Sequence, residues 1–242
     1  MSRDGGRPTR IAHAYGNRRD KIEAAADADI DLMEADLWYR GGEVWVRHER
    51  RLGSLPILFD RRPQGVDSLG PWALTVFPGY YVRLDIRPLG LAELLERTQG
   101  RCGLLLDIKG SYGEEGERSY AQTLARTLAR SQRQESVMVC GGAEVLDQVR
   151  KEAPDLEVRH SIEEQRHWDG FLRRLEADDN LRGVCMAHEF LNDEIMQFLR
   201  DKGLQVFCWT IDEPAEARRL VERGVDGITS NNIPLLEQLG SR

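Results

Sequence analysis

Residues 204–230 are "LQVFCWTIDEPAEARRLVERGVDGITS", a stretch with two short apolar runs and a helical segment between them. The runs at 204–210 and 225–230 have the length and composition of strands. The segment 213–223 carries apolar residues at the spacing of one helical face: Ala217, Leu220 and Val221. A strand, a helix and a second strand in this order predict a parallel βαβ unit.

The same alternation continues through the chain. Further strands are predicted at 10–14, 32–38, 103–110, 136–141, 156–161 and 183–188. Further helices are predicted at 19–28, 117–133, 143–152, 162–176, 190–202 and 233–239. Eight strands separated by helices in a chain of 242 residues predict an α/β fold, a (β/α)8 TIM barrel. Because barrels of this length form one domain, residues 1–242 are expected to be a single domain.

Two segments depart from this alternation. Residues 43–48 follow a Gly-Gly pair and are predicted to return along strand 32–38 as a β-hairpin. Residues 51–87 contain several prolines, glycines and aromatic residues, which predict an irregular insertion or lid near the active-site end of the barrel. A helix at 88–99 is expected to cover the second strand.

The composition excludes some functions. The chain has 41 acidic and 34 basic residues, and this balance argues against a nucleic-acid-binding surface, which needs a positive field. No apolar run reaches the length of about 18 residues that a membrane helix needs, so membrane insertion is not expected. The polar start "MSRDGGRPTR" does not resemble a signal peptide. Four scattered cysteines without a C-x-x-C pair favour reduced thiols, and together these features predict a cytoplasmic location.

Polar residues concentrate at the predicted ends of the strands, where the catalytic residues of a TIM barrel lie. They are His13, Glu34, Asp36, Asp107, Lys109, His188, Trp209, Ser230 and Asn231, with His48 on the hairpin return. Three carboxylates, the histidines and one lysine are therefore expected around one opening of the barrel.

The strand at 32–38 carries two of these carboxylates on one face. Side chains at positions i and i+2 of a strand point to the same side, so Glu34 and Asp36 lie together. The opposite face consists of Met33, Ala35 and Leu37, and we expect it to be buried.

Asp107 ends an apolar strand and would add a third negative charge. Clustered carboxylates repel one another and lose hydration, so a cation must compensate them. Oxygen ligands favour Mg²⁺ or Ca²⁺ over zinc. Two simpler interpretations stay open, namely an edge strand with a solvated acidic face at 32–38 and an ion pair between Lys109 and Asp107.

The histidines add proton-transfer groups. Near the carboxylates, one of His13 and His48 can remove a proton from a nucleophile while the other protonates a leaving oxygen, although the sequence does not assign the two roles. The simpler alternative for each is a hydrogen-bonded core histidine. His160 and His167 lie near a predicted helix start and are expected at the surface, and His188 has no evident partner.

Four stretches of the chain resemble the glycerophosphodiester phosphodiesterase family. They are "RIAHAYGN", "LMEADLWYRGGEVWVRHE", "LLLDIKG" and "VFCWTIDEPAEARRLVERGVDGITSNN". They are similar in order and spacing to the family's I-A-H-R-G start, its E-L-D-V strand, its V-x-x-H-D return, its E-x-K strand and its closing W-T…G-V-D-G-I segment. Residues 111–200 contribute only the barrel pattern.

The resemblance implies a TIM barrel that binds one divalent cation and cleaves a phosphodiester. It implies that His13 and His48 are the catalytic pair, that Lys109 faces the phosphate and that Trp209 lines the substrate pocket. It also implies a set of metal ligands: Glu34, Asp36 and Asp107. The family's arginine after the first histidine is Ala14 here, and Arg18 or Arg19 is expected to replace it. An A-H start, a later asparagine and a D-x-K strand are more similar to the sphingomyelinase D branch of the superfamily.

The predicted function is metal-dependent hydrolysis of glycerophosphodiesters, or of a related small phosphodiester, to a phosphomonoester and an alcohol. A phospholipase D-type enzyme that converts lysolipids to a cyclic phosphate is an alternative, with the aromatic stretch 71–81 contacting an acyl chain. A barrel that binds its ligand without catalysis is another. The sequence does not identify the alcohol group or the oligomeric state.

Overall fold

A closed ring of eight parallel strands forms the centre of the protein. The computed structural model describes residues 6–48, 58–61, 73–78, 80–83, 89–178 and 180–240. The ring consists of β1 (Thr9–Ala12), β2 (Leu32–Arg40), β8 (Gly103–Ile108), β9 (Val137–Gly141), β10 (Glu157–Ile162), β11 (Gly183–Ala187), β12 (Gln205–Trp209) and β13 (Gly227–Ser230). Pairing of β1 with both β13 and β2 closes the ring, and this confirms the predicted (β/α)8 barrel.

One helix follows each barrel strand. The helices are α1 (Arg19–Ala26), α2 (Leu91–Arg97), α3 (Gly113–Ser131), α4 (Ala143–Glu152), α5 (Gln165–Ala177), α6 (Asp193–Asp201), α7 (Pro214–Glu222) and α8 (Ile233–Gly240). In the described part of the chain, none of them combines the length and apolarity that crossing a bilayer requires.

The predicted hairpin is present. The strand β3 (Glu43–Val46) pairs antiparallel with the end of β2. Its two-residue turn is Gly41-Gly42, with φ values of 61° and 82°. Positive φ at both central residues is what a type I′ hairpin turn requires, and glycine adopts it without steric cost. A short strand, β7 (Leu89–Gly90), pairs with the far side of β3.

The predicted insertion contains a small sheet that the sequence pattern did not predict. Its strands are β4 (Leu58–Arg61), β5 (Ala73–Phe77) and β6 (Tyr80–Arg83), with β6 in the centre. Two of them end in an arginine, and the prolines and glycines between the strands predict loops, so the segment lacks the apolar runs that predict the barrel strands. The rest of the segment 51–87 lies outside the described residues, and its role as a lid stays a prediction.

Apolar side chains pack against both the outer and the inner face of the barrel wall. Outside it, Met33, Ala35 and Leu37 pack beneath the helices with no exposed surface, as the sequence predicted. Burying a side chain such as Leu37 contributes about 1.5–3 kcal/mol. Inside it lies a second group, the inner cluster: Ile11, Leu32, Leu105, Cys140, Cys185 and Phe207. Because side chains alternate along a strand, β2 directs Glu34 and Asp36 into the same interior.

Candidate active site

Three carboxylates meet inside the barrel. Glu34 and Asp36 come from β2, and Asp107 comes from the adjacent strand β8, where it pairs in register with Asp36. One oxygen of each carboxylate lies within 4.8 Å of the other two. Glu34 and Asp36 are buried, and Asp107 is partly buried. The strand at 32–38 is therefore a central strand with an enclosed acidic face, and the interpretation as a solvated edge strand is wrong.

Burial and mutual repulsion perturb these carboxyls. Burial, and then the charges of Asp36 and Asp107, raise the pKa of Glu34 well above its usual range. Burial also raises the pKa of Asp107, although the charge of Lys109 opposes the rise. For Asp36, burial is outweighed by the hydrogen bond with His48 and the charge of Lys109, which hold its pKa below the usual range. Such a cluster favours a cation, because a positive charge removes the repulsion.

Lys109 supplies one positive charge to the cluster. Its Nζ lies 3.1 Å from Asp36 Oδ1 and also contacts Asp107 Oδ2. Burial would lower the pKa of Lys109, but the charges of Asp107 and Asp36 raise it above its usual range. The ion pair with Asp107 considered from the sequence is therefore present, and it includes Asp36 as well.

The turn after β1 fixes two of the carboxylates. Ala14 N–H donates to Glu34 Oε2 at 2.6 Å, from a left-handed conformation with φ 57°. Asn17 Nδ2 donates to Asp36 Oδ2 at 2.6 Å, and Asp36 N–H donates to Asn17 Oδ1 at 2.8 Å. This turn lies close against β2, since a Cβ at Gly16 would be 2.6 Å from that of Ala35. Hydrogen bonds of this kind orient the carboxylates toward one another.

His13 follows β1 and lies beside Glu34, with 4.0 Å between its Nε2 and Glu34 Oε2. Its Nδ1 is 3.1 Å from Asn231 Oδ1. Asn231 Nδ2 donates to Asp212 Oδ2 at 3.0 Å, so the amide is oriented with its oxygen toward His13. An amide oxygen can only accept, and the proton of a neutral His13 therefore lies on Nδ1. Burial lowers the pKa of His13, which favours this neutral form.

Asp212 holds Asn231 from two sides. Besides accepting from the Asn231 amide, it accepts from Asn231 N–H at 2.8 Å and from Ser230 Oγ at 2.9 Å. Asn231 is one of the polar residues predicted at a strand end, whereas Asp212 was not predicted from the sequence. The available signal was an acidic residue three positions after Trp209, just beyond the end of β12.

His48 lies two residues after β3 and contacts Asp36. Its Nδ1 is 3.1 Å from Asp36 Oδ2, and its side chain is 56% exposed. Because an ionised carboxylate can only accept, this contact makes Nδ1 a donor and leaves Nε2 as the atom available for proton transfer. The two histidines thus approach the cluster beside different carboxylates, His13 beside Glu34 and His48 beside Asp36.

The two arginines lie in different surroundings. Arg18 Nη1 donates to Tyr81 Oη in the small sheet at 3.1 Å, and its Nε donates to Asp20 at 3.1 Å. Arg19 instead makes two hydrogen bonds of 2.7 Å with Glu93 on α2.

The remaining candidates lie on the strands opposite. Trp209 ends β12, is partly buried and packs against the inner cluster. His188 follows β11, and its backbone N–H donates to the carbonyl of Trp209 at 3.1 Å.

The other two histidines lie away from the site. His167 is partly exposed at the start of α5. The expectation that His160 lies at the surface is wrong: it is 3% exposed, because it points outward from β10 into the layer beneath α5.

The carboxylate cluster fits a divalent cation. Its three ligand oxygens are hard donors, and they gather within the span that one ion can bridge. Glu34, Asp36 and Asp107 would hold the ion, with Lys109 beside them. In the described residues, no other group of three acidic, histidine or cysteine side chains has this arrangement.

Comparisons with known proteins identify the family of this chain. The sequence model of the glycerophosphoryl diester phosphodiesterase family matches residues 106–235. A structure from Silicibacter pomeroyi, assigned as a glycerophosphoryl diester phosphodiesterase, has a TM-score of 0.77 at 20% identity and covers 97% of this chain and 93% of its own. A glycerophosphodiester phosphodiesterase from Parabacteroides distasonis has a TM-score of 0.70 at 17% identity, with 97% and 98% covered.

A phosphodiesterase from Oleispira antarctica, solved with the product sn-glycerol-3-phosphate, has a TM-score of 0.68 at 16% identity, with 99% of both chains covered. No curated protein sequence matches the chain. At these identities the structures show the shared barrel, whereas the sequence model covers more than half of the chain. The chain therefore belongs to the glycerophosphoryl diester phosphodiesterase family and is a phosphodiester hydrolase.

Proposed function

We propose that the protein hydrolyses glycerophosphodiesters, or a closely related small phosphodiester, to a phosphomonoester and an alcohol. The observation that carries this proposal is the enclosed set of three carboxylates, with His13 beside Glu34 and His48 beside Asp36. We further propose one divalent cation, Mg²⁺ or Ca²⁺, as the cofactor, held by Glu34, Asp36 and Asp107. When bound, it would stabilise the negative charge that develops on the phosphate oxygens.

His13 is proposed as the general base. Asn231 and Asp212 keep the proton of its neutral ring on Nδ1, so the lone pair of Nε2 faces the carboxylates. A base must be neutral to accept a proton, and burial lowers the pKa of His13. Nε2 can then take the proton from the attacking hydroxyl.

His48 is proposed as the general acid. Asp36 accepts from its Nδ1, which leaves Nε2–H to protonate the departing alkoxide. In-line displacement needs the attacking and leaving groups on opposite sides of the phosphorus. Histidines beside different carboxylates of the cluster suit that requirement.

Three further residues are proposed to contact the substrate. Lys109 would stabilise phosphate oxygens from beside the carboxylates, and Trp209 would line the pocket at the end of β12. Either Arg18 or Arg19 is proposed to replace the family's arginine. Asp20 engages the guanidinium of Arg18, and Glu93 engages that of Arg19.

A substrate screen tests this function. Purified protein would be incubated with glycerophosphocholine, glycerophosphoethanolamine and glycerophosphoglycerol, each with Mg²⁺, Ca²⁺ or a chelator, and followed by ³¹P NMR. We expect a phosphomonoester signal that requires the metal. If no diester is consumed under any metal condition, the proposed hydrolysis of glycerophosphodiesters is rejected.

One observation favours the lysolipid alternative as a second candidate. On β5 of the small sheet, three apolar side chains are exposed: Leu74 by 58%, Val76 by 44% and Phe77 by 64%. The same sheet touches Arg18 through Tyr81. Apolar surface beside a site can contact an acyl chain. Incubation with lysophosphatidylcholine, followed by ³¹P NMR detection of a cyclic phosphate, tests this second candidate. The variant Phe77→Ser should reduce the activity on lysophosphatidylcholine and leave the hydrolysis of glycerophosphocholine unchanged.

A cytoplasmic location is also part of this proposal. All four cysteines are free thiols, three of them buried and Cys102 partly buried, as expected for a reducing compartment. Recovery of the native protein with the cytoplasmic marker after cell fractionation would support it, and recovery with an extracellular or periplasmic marker would contradict it.

A further inference from the structure

Cys140 lies next to the carboxylate of Asp107 inside the barrel. The two residues are paired in register on the neighbouring strands β9 and β8, and both side chains face the interior. Cys140 is 3% exposed, and it belongs to the inner cluster together with Cys185. The inner cluster therefore lies next to the acidic site inside the barrel.

Asp107 is held differently from the other two carboxylates. Glu34 receives a backbone N–H from the turn after β1, and Asp36 receives the amide of Asn17 from the same turn. Among the described residues, the only nitrogen donor to Asp107 is Lys109. A lysine has a long flexible chain, and this one also contacts Asp36, so it fixes the plane of the Asp107 carboxylate poorly.

The Cys140 thiol can supply the missing constraint. Inside the barrel, a buried thiolate next to Asp107 would add another negative charge to the cluster, so the Cys140 thiol keeps its proton. A protonated thiol is a weak donor, and an ionised carboxylate is a far better acceptor than sulfur. Of the acceptors beside Cys140, the carboxylate of Asp107 is therefore the one that its single S–H favours.

We propose that Cys140 is a positioning residue for the metal ligand Asp107, whose carboxylate it orients toward Glu34 and Asp36. The inference deepens the proposed function and rests on Asp107 being a ligand. Groups that hydrogen-bond to a ligating carboxylate typically change metal affinity about 10- to 100-fold when they are replaced. Since a thiol is a weak donor, we expect the lower end of this range or less, about 3- to 10-fold.

Direct metal binding tests the proposal without relying on catalysis. The Mg²⁺ dissociation constant of the full-length protein would be measured by isothermal titration calorimetry for wild type and three variants of this cysteine. Cys140→Ala and Cys140→Val remove the donor, and Val retains the bulk. Both should bind Mg²⁺ about 3- to 10-fold more weakly, whereas Cys140→Ser keeps a donor and should stay within about twofold.

Two further variants separate the possible causes. Cys208→Ala removes a buried thiol from the outer layer, away from Asp107, and should leave the affinity unchanged. Asp107→Asn should weaken binding strongly. If Asp107→Asn binds as wild type does, the proposed metal site is wrong. If it binds weakly while Cys140→Val matches wild type, or if Cys140→Ser is as weak as Cys140→Val, only the role of Cys140 is overturned.

Discussion

His160 is a buried histidine that should make the protein lose stability in mild acid. Both of its ring nitrogens are buried without a hydrogen-bond partner in the described structure, and its ring packs 5.5 Å from that of Phe171. Burial, and then the charge of Arg174, lower the pKa of His160 to about 4. An imidazole with no partner for either nitrogen has no group to stabilise a second proton.

The size of the effect follows from the two pKa values. In the unfolded chain the imidazole titrates near its ordinary value of about 6.5, whereas in the folded protein it does so near 4. At pH values between these two pKa values, His160 binds a proton in the unfolded state but not in the folded state. The free energy of unfolding therefore falls as the pH falls. A difference of about 2.5 units corresponds to roughly 3 kcal/mol, lost progressively between about pH 6.5 and pH 4.

Replacing the histidine should remove this loss. We expect His160→Leu to be at least as stable as wild type at pH 7, because two unpaired polar atoms disappear from the core. At pH 4.5 its advantage should have grown by about 2–3 kcal/mol. Urea unfolding of both proteins at intervals from pH 4 to pH 8 measures this difference. Other groups, including His13, titrate in both proteins and cancel.

A control at a core residue that does not titrate makes the result decisive. Leu220 on α7 is fully buried, and the stability difference between Leu220→Ala and wild type should not change with pH. If the difference between His160→Leu and wild type is also constant from pH 4 to pH 8, the argument from burial is refuted.

Three predictions concern the site. Asp107→Asn should lose activity through weaker Mg²⁺ binding and should recover part of that activity at high Mg²⁺. Lys109→Ala should not recover activity, because it removes stabilisation of the phosphate. Equal responses of the two variants to added Mg²⁺ would show that Asp107 is not a ligand. His13→Ala and His48→Ala should each reduce turnover about 10²- to 10⁴-fold, and near-normal steady-state rates in both would reject the pair. Gly16→Ala should displace the turn after β1 and weaken Mg²⁺ binding as well as thermal stability, because its Cβ would lie 2.6 Å from that of Ala35; an unchanged melting temperature would contradict this contact.

Much of the barrel could be predicted because its signals are local. Each strand is a short apolar run and each helix has its own apolar spacing, so residues a few positions apart determine the pattern. The same reasoning predicted that the face of β2 containing Met33, Ala35 and Leu37 is buried. It failed for the small sheet in the insertion, where no helical segment separates the strands and prolines and glycines between them predict loops.

The site could be predicted only in part. A two-residue period placed Glu34 and Asp36 on one face, and the ends of the strands identified His13 and Asp107 as candidates. The partners of these residues were not visible in the same way. Asp212 orients Asn231, which in turn orients His13, a residue 218 positions away in sequence. No local pattern encodes a hydrogen bond of that range.

By itself, the sequence of this protein determined the order of its strands and helices and which side chains share a face of each strand. These depend on backbone geometry that repeats every two or 3.6 residues. The tertiary structure alone decided which faces meet. Closure of the ring through β1 and β13 brings His13 to Asn231, and pairing of β8 with β9 brings Asp107 to Cys140. The tautomer of His13 and the repulsion among the carboxylates depend on residues that are distant in sequence, because hydrogen bonds and charge repulsion act through space.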